Sequence, residues 1–317
     1  MKYTSPLLVT ALGLCFCGSV LAGQKVDETL DASSSGRVEI EHVNGKATIK
    51  GWKKDQVKVV GELDERAEDF IFKRNGNNIR IKVEMPKRIR NNGRYDGDDL
   101  TIYVPHGSRV SYSAINANVN LEEVFGGTNI ETINGEIDAE ELKGRIRLES
   151  VNGGIDTKNL EGHIVVETIN GEIRDEGSLG NEATYDSVNG DIEVASKIPD
   201  ISAETVNGDM ELTLDDVDSL KVDTVNGDIE SRLTLMKHGE VRANSVGGDI
   251  ELYFQSGISA QFDIQSHAGG RISNNLTDDR MKKAKYGPRR WLEFTTKEGN
   301  ARVSVSTVGG SVSLDEH

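Results

Sequence analysis

Apolar and polar residues alternate with a period of two along most of the chain, the mark of strands with one buried face. In one sample unit Ile164, Val166 and Thr168 fall on one face, and Val165 and Glu167 fall on the other. After an Asn-Gly pair, Ile173 returns to the first face. A second turn signal comes within each unit, as in Leu142-Lys143-Gly144, Leu160-Glu161-Gly162 and Leu179-Gly180-Asn181. The pattern predicts strand, turn, strand, turn.

This unit recurs. Its consensus is acid, Ser/Thr, Ile/Val, Asn, Gly, acid, Ile, acid. Clean copies centre on Asn134, Asn152, Asn170, Asn189, Asn207 and Asn226, 18 or 19 residues apart. An earlier copy, Ile115-Asn116-Ala117-Asn118-Val119, lies 18 residues upstream. Degenerate copies follow at Val246-Gly247-Gly248-Asp249-Ile250, His267-Ala268-Gly269-Gly270 and Val308-Gly309-Gly310-Ser311-Val312. Val43-Asn44-Gly45 stands as an isolated copy near the start. A near-constant period of this kind predicts stacked repeats.

Two architectures satisfy the pattern. In a β-solenoid each unit is one coil, and its strands pair in parallel with those of the next coil. In an antiparallel meander each Asn-Gly is a tight hairpin, for which it is a strong signal. Burial favours the coil, because both strands of a unit carry an apolar face and a coil folds those faces together. A long meander would leave its apolar face bare unless it closed into a barrel. Coiling also stacks each Asn on the next in an amide ladder. The predicted fold is all-β: a single-stranded parallel β-solenoid, β-helix-like, with coils of about 18 residues, the meander being the alternative. The coil places Ile137, Ile155, Ile173, Ile192, Met210 and Ile229 inward as one stack.

Residues 1–22 read as a secretory signal. Lys2 gives a positive start, an apolar run follows to about Val20, and Val20-Leu21-Ala22 offers a cleavage site. The run is interrupted by Gly13 and Gly18 and is short of the roughly 20 apolar residues of a membrane span. Bulky Leu14 and Phe16 argue against lipid attachment at Cys15 or Cys17. Both cysteines leave with the signal, so the mature chain forms no disulfide and no thiolate metal site. Residues 23–110 are irregular but strand-rich and are expected to form the N-terminal part of the same solenoid, opening and capping it. Residues 111–317 form the repeat solenoid, with a charged insertion near 275–290.

Composition sharpens this picture. Aromatic content is only 5%, so the core must come from Ile, Val and Leu. The net charge of −16 disfavours nucleic acid and anionic lipid and favours cations or basic partners. The acids sit in columns. Three before each Asn stand Glu131, Glu149, Glu167, Asp186, Glu204 and Asp223. Two after stand Glu136, Glu172, Asp191, Asp209 and Asp228, with Gly154 as the exception. Four after stand Asp138, Asp156, Glu193, Glu211 and Glu230, with Arg174 as the exception. A solvated face that keeps strands apart accounts for such columns. Weak Ca²⁺ binding is the competing reading, since these acids supply oxygen ligands. The chain lacks the Gly-Gly-x-Gly-x-Asp pattern of calcium-binding β-rolls.

No residues are marked out for catalysis, cofactor binding or metal ligation. Thr132, Ser150, Thr168, Ser187, Thr205 and Thr224 form an inward hydroxyl column without bases. The histidines, His42, His106, His163, His238, His267 and His317, share no ligand spacing and no repeated column. Trp52 and Trp291 are expected at the ends of the solenoid. Two basic clusters are expected in loops: Lys87, Arg88, Arg90 and Arg94; and Arg280, Lys282, Lys283, Lys285, Arg289 and Arg290.

The run Ile49-Lys50-Gly51-Trp52, Val57-Lys58-Val59 and Leu100-Thr101-Ile102-Tyr103-Val104-Pro105, followed by serial Val-Asn-Gly-Asp-Ile units, resembles the bacterial adhesin-like β-strand-repeat domains of unknown function. The likeness spans Val38 to Leu314, apart from the charged insertion. It implies a β-solenoid on the bacterial envelope and supplies no catalytic residues. The expectation is a non-catalytic, exported binding or scaffold module in the periplasm or at the cell surface. Its partner would be an envelope protein or glycan, and self-association would be open to it. A polysaccharide-acting β-helix enzyme is the alternative, and it would need paired carboxylates in one groove outside the repeat columns.

Overall fold

The computed structural model describes residues 24–86 and 97–317, so the signal segment and the basic cluster at Lys87, Arg88, Arg90 and Arg94 lie outside it. The described residues form strands and turns, without a helix. Two parallel ladders face each other across one core. The first holds the strand segments that precede each Asn-Gly, and the second holds those that follow. Strand Lys143–Asn152 pairs in parallel with Thr128–Asn134 on one side and Glu161–Asn170 on the other. Ile155–Lys158 pairs likewise with Ile137–Glu140 and Ile173–Asp186. The parallel β-solenoid is thus the fold, and the meander is excluded.

The glycines explain why Asn-Gly here is not a hairpin. A type I′ hairpin requires positive φ at both central residues. Neither Asn170 nor Gly171 has it. Gly171 is needed for another reason: a Cβ there would meet the Gly153 carbonyl oxygen at 2.1 Å. Each turn therefore lies directly on the turn before it. The second corner of the coil uses left-handed residues instead, in pairs: Glu123 with Gly127, Glu141 with Gly144, Asn159 with Gly162 and Gly177 with Gly180.

The core follows the alternation. Ile137, Ile155, Ile173, Ile192, Met210 and Ile229 are buried and stack in register through the second ladder. Ile146, Ile164, Ala183, Ile201 and Leu220 oppose them from the first.

Sequence order and stacking order part company at both ends. Val43-Asn44-Gly45 is not an isolated copy: strand Arg37–Trp52 lies against Arg109–Glu122, with Asn44 paired to Asn116. On its other side lie Asn78–Glu84 and Asp98–Pro105. The chain therefore lays one inner coil, passes to the outermost coil, and returns above the first. The other end repeats the device. Strands Ala301–Thr307 and Val312–Glu316 insert between Ile229–Ser245 and Ile250–Phe254 on one side and Ala260–Ser266 and Ile272–Asn274 on the other. Antiparallel strands then finish the ladders. Asp69–Asn75 covers Asn78–Glu84, Gln56–Glu62 covers Asp98–Pro105, and Lys25–Asp31 lies outside that. At the far end Arg290–Thr295 covers Ala260–Ser266. Such caps keep a stack from adding further parallel strands.

Ile192 is buried between Ile173 and Met210. Ile192→Asp should place an unpaired charge between two apolar rungs and cost more than about 4 kcal/mol. Urea unfolding of the pure variant checks this, and a midpoint near that of the wild type would refute the inward assignment.

Candidate functional site

The outward surface is built by columns, and the corner beside the Asn-Gly turns shows how. The Asn116 amide donates to Asn44 Oδ1 at 2.7 Å, and the same bond recurs from Asn134, Asn152, Asn170, Asn189, Asn207 and Asn226, each to the preceding Asn. Inside the turn, the hydroxyls of Ser150, Thr168 and Thr205 donate to the carbonyls of Gly135, Gly153 and Gly190 in the coil below. The hydroxyl column is a structural ladder.

Part of the acidic surface is also structural. Asp191, Asp209 and Asp228 each accept a hydrogen bond from the backbone N–H of Asp209, Asp228 and Asp249 in turn, at 2.7–2.8 Å. These carboxylates cap turn backbone, as the Asn118 amide oxygen does for the Glu136 N–H at the earlier end of the column. Among the described residues no group of three or more His, Cys, Asp or Glu side chains is arranged to hold a metal.

The first ladder's outer face carries two parallel ridges. One is the acid column Glu131, Glu149, Glu167, Asp186, Glu204 and Asp223, each residue beside the next. Two basic residues relieve it. Arg147 bonds Glu149 and reaches Glu167 at 2.9 Å, and Lys221 bonds Glu204 and reaches Asp223 at 3.2 Å. Asp186 lies between these two clusters. Partial burial, with Glu204 and Glu167 adjacent, pushes its carboxyl up to about 6.

The second ridge is apolar. Ile115, Ile133, Ile169, Val188, Val206, Val225, Val246 and Val308 each stand next to the turn with 38–48% of their surface exposed, and half-buried Val151 completes the row. Between the ridges runs a groove of about 660 Å³, lined by Ile133, Val151, Ile169 and Val188 and by Glu131, Glu149, Glu167 and Asp186. This ledge is missing from the sequence reading, although the Ile/Val position was in the consensus. Its signal is the parity: once Ser/Thr is inward, the next residue must point out.

The second ladder carries a groove of about 600 Å³ across its own outer face. Arg174, the exception in its acid column, lies 2.5 Å from Glu172, 3.3 Å from Glu193 and 3.9 Å from Asp156. It cross-links neighbouring rungs. Beneath it Asp175 is only 3% exposed. Thr157 and Ser178 donate to its Oδ1 at 2.5 Å, and Tyr185 donates to Oδ2 across the core at 2.8 Å. Burial raises the Asp175 carboxyl against the opposing pull of those three hydroxyls.

One histidine is not incidental. His42 occupies the inward hydroxyl column of the first inner coil, paired with Ala114, which pairs with Thr132. Its Nδ1 lies 2.9 Å from the Tyr112 hydroxyl, and its Nε2 lies 2.9 Å from Asp98 Oδ2. Asp98 Oδ1 accepts the Asp64 N–H at 2.6 Å. Burial and the Asp98 charge push the Tyr112 phenol upward. All three side chains are buried in the core, so this chain of polar groups ties the outermost coil to the inner ones without opening to solvent. Trp52 stacks on Tyr103 near the same end, and Trp291 lies on the cap strand at the other.

The fold and its columns define a class: a two-ladder parallel coil that shows the same side chains to solvent on successive rungs. The chain belongs to the Toastrack DUF4097 family, whose match spans residues 35–315. No curated protein matches it. Solved structures similar to it include a "putative adhesin" from Parabacteroides distasonis, at 12% identity, covering 73% of this chain and 94% of that one, with a TM-score of 0.48. A "putative lipid binding protein" from the same organism is also 12% identical, covering 93% and 97%, with a TM-score of 0.46. A "putative adhesin" from Parabacteroides merdae is 14% identical, covering 73% and 96%, with a TM-score of 0.44.

Two measurements test the electrostatics. Asp186 holds its proton more tightly in the folded state than at the ordinary value of 3.8. Its ionisation therefore opposes folding increasingly as pH rises from about 4 through 6. Asp186→Asn should match wild type near pH 4 and gain stability above pH 6, by under about 1 kcal/mol because the group is half exposed. Equal melting shifts at both pH values would refute the assignment. In the second measurement, millimolar CaCl₂ and NaCl at matched ionic strength should raise the melting temperature equally, by screening alone. An extra gain with calcium, reversed by chelator, would overturn the capping role given to Asp191, Asp209 and Asp228.

Proposed function

We propose that the chain is a non-catalytic binding module of the bacterial envelope that holds an elongated partner, protein or glycan, along its acidic and apolar ledge. The observation that carries this reading is the ledge itself, with half-exposed Ile or Val beside acid on successive rungs. Apolar side chains left in water on rung after rung do nothing for the core, and contiguous exposed apolar surface favours interaction. A site spread over equivalent rungs suits an extended ligand better than a single reacting bond.

The enzyme reading asks for paired carboxylates outside the columns and open to a groove. Asp175 lies outside the columns and under a groove, but it has no second carboxylate as a hydrogen-bond partner, and three hydroxyls bond its oxygens. His42 and Asp98 are sealed in the core. The amino-terminal segment supports export.

Cell fractionation with intact-mass measurement tests the location: the protein should be found outside the cytoplasm and lack residues 1–22. A glycan array and affinity capture of crosslinked envelope partners test the ledge. An Ile133→Ser, Ile169→Ser double variant should keep wild-type melting behaviour, within about 1 kcal/mol, because both residues are half exposed. It should lose most of the retained partner. Full retention by a folded variant would remove the ledge as the binding surface.

A further inference from the structure

The charged insertion is not a loop. Lys282–Lys283 pairs antiparallel with Arg290 and Trp291, and the Ala284 N–H bonds the Arg289 carbonyl at 3.0 Å. The result is a short arm that carries Arg280, Lys282, Lys283, Lys285, Arg289 and Arg290 on a strongly acidic chain. Asp278 and Asp279 precede it and offset only part of that charge. Among the described residues none of these six basic groups forms an ion pair. At the tip Tyr286 is 83% exposed, with the Lys285 ammonium 5.4 Å from its ring. Arg289 bonds the Gln265 side chain and Arg290 the Gly270 carbonyl, so their charges are held in place without a carboxylate partner. A bare aromatic on a cationic arm is the complement of a groove walled by Ile and Val on one side and by carboxylates on the other.

The arm cannot reach the groove of its own chain. It is fixed through Arg290–Thr295 to the strand Ala260–Ser266. From there to Glu161–Asn170, at the middle of the groove, the ladder runs through Ala301–Thr307, Ile229–Ser245, Met210–Asn226, Asp200–Asn207 and Ile173–Asp186. At about 4.8 Å per step that is about 29 Å, whereas the few residues from Arg290 to Tyr286 reach about 13 Å. We infer that the arm of one copy docks on the ledge of a second copy, with Tyr286 set among Ile133, Val151, Ile169 and Val188 and its cations facing Glu131, Glu149, Glu167 and Asp186. This rests on the ledge being a binding surface and names its occupant. The contact is heterologous, so each pair keeps one free arm and one free ledge, and association continues unless a ring closes.

Sedimentation velocity on the mature chain over a range of concentrations tests it. Wild type should form species that grow with concentration. An arm variant, Lys283→Glu with Lys285→Glu and Tyr286→Ser, should remain monomeric. So should a ledge variant, Ile133→Ser with Ile169→Ser and Asp186→Lys. All these positions are exposed or half exposed, and circular dichroism verifies that both variants keep the strand signal. Mixed together, the two variants should form a one-to-one pair that grows no further, because only one intact arm and one intact ledge remain between them. Wild type that stays monomeric, variants that still associate, or a mixture that stays monomeric would each overturn the docking. If docking fails while the ledge serines still abolish partner retention, the binding-module reading survives; if docking holds and retention is unaffected, the outside partner binds elsewhere.

Discussion

Everything in this fold depends on rungs that stack about 4.8 Å apart with equivalent residues in line. A side chain at one position meets its own kind above and below, so each column must tolerate itself. The asparagine amide does so because it carries a donor and an acceptor, and the run from Asn44 to Asn226 uses both. Glycine follows because the turn backbones touch: a Cβ on Gly190 or Gly227 would sit 1.8 or 1.9 Å from the carbonyl oxygen below. Aspartate survives in a column where its carboxylate has a backbone N–H to accept. Glutamate three before the Asn has no such outlet, and there the chain interposes Arg147 and Lys221. Asp186, between those two clusters, retains the stress as a raised carboxyl.

The same stacking leaves a problem at the ends, where a ladder has nothing to sit on. Both ends solve it by laying down an inner coil out of sequence order and then turning the ladder antiparallel. The buried polar clusters belong to this logic. The His42, Asp98 and Tyr112 contacts join the outermost coil to the inner one and to the first coil of the regular stack. An apolar core of similar Ile and Val rungs would tolerate a slip by one coil, whereas a buried histidine and carboxylate meet only in one register. Asp175 and Tyr185 make the same demand across the middle of the core. Buried polar groups fix register more reliably than they add stability.

What could be read from the sequence divides along these lines. Period, parity and the Ile, Asn and hydroxyl columns were legible because they are local and repeat many times. The end coils were not legible: stacking order there depends on long connections, such as the one between Trp52 and Arg109, that carry no local signal. His42 looked solitary because its partners lie 56 and 70 residues away in sequence. The charged insertion read as a loop because its two strands are short and its composition is polar, yet the edge of Ala260–Ser266 recruits it into a hairpin. The apolar ledge was hidden in plain view, since an Ile or Val in a strand is read as core unless its parity is checked.

That ledge also limits the function the fold can perform. The repeat requires Asn, Gly and the inward hydroxyl, and hydrogen bonds or close backbone contacts in the structure give each a reason. The outward Ile or Val has no comparable reason, because threonine would pair in the same strand and cost less exposed apolar surface. Its presence from Ile115 to Val246, and again at Val308, is a repeated exception to the solubility that the flanking acids provide. An acidic ridge beside an apolar one gives that face both charge and exposed apolar surface, the two features that a cationic partner with an apolar tip would complement. The arm beyond the last coil carries cations of that kind, so one chain presents both an acidic, apolar face along its length and a basic hairpin at one end.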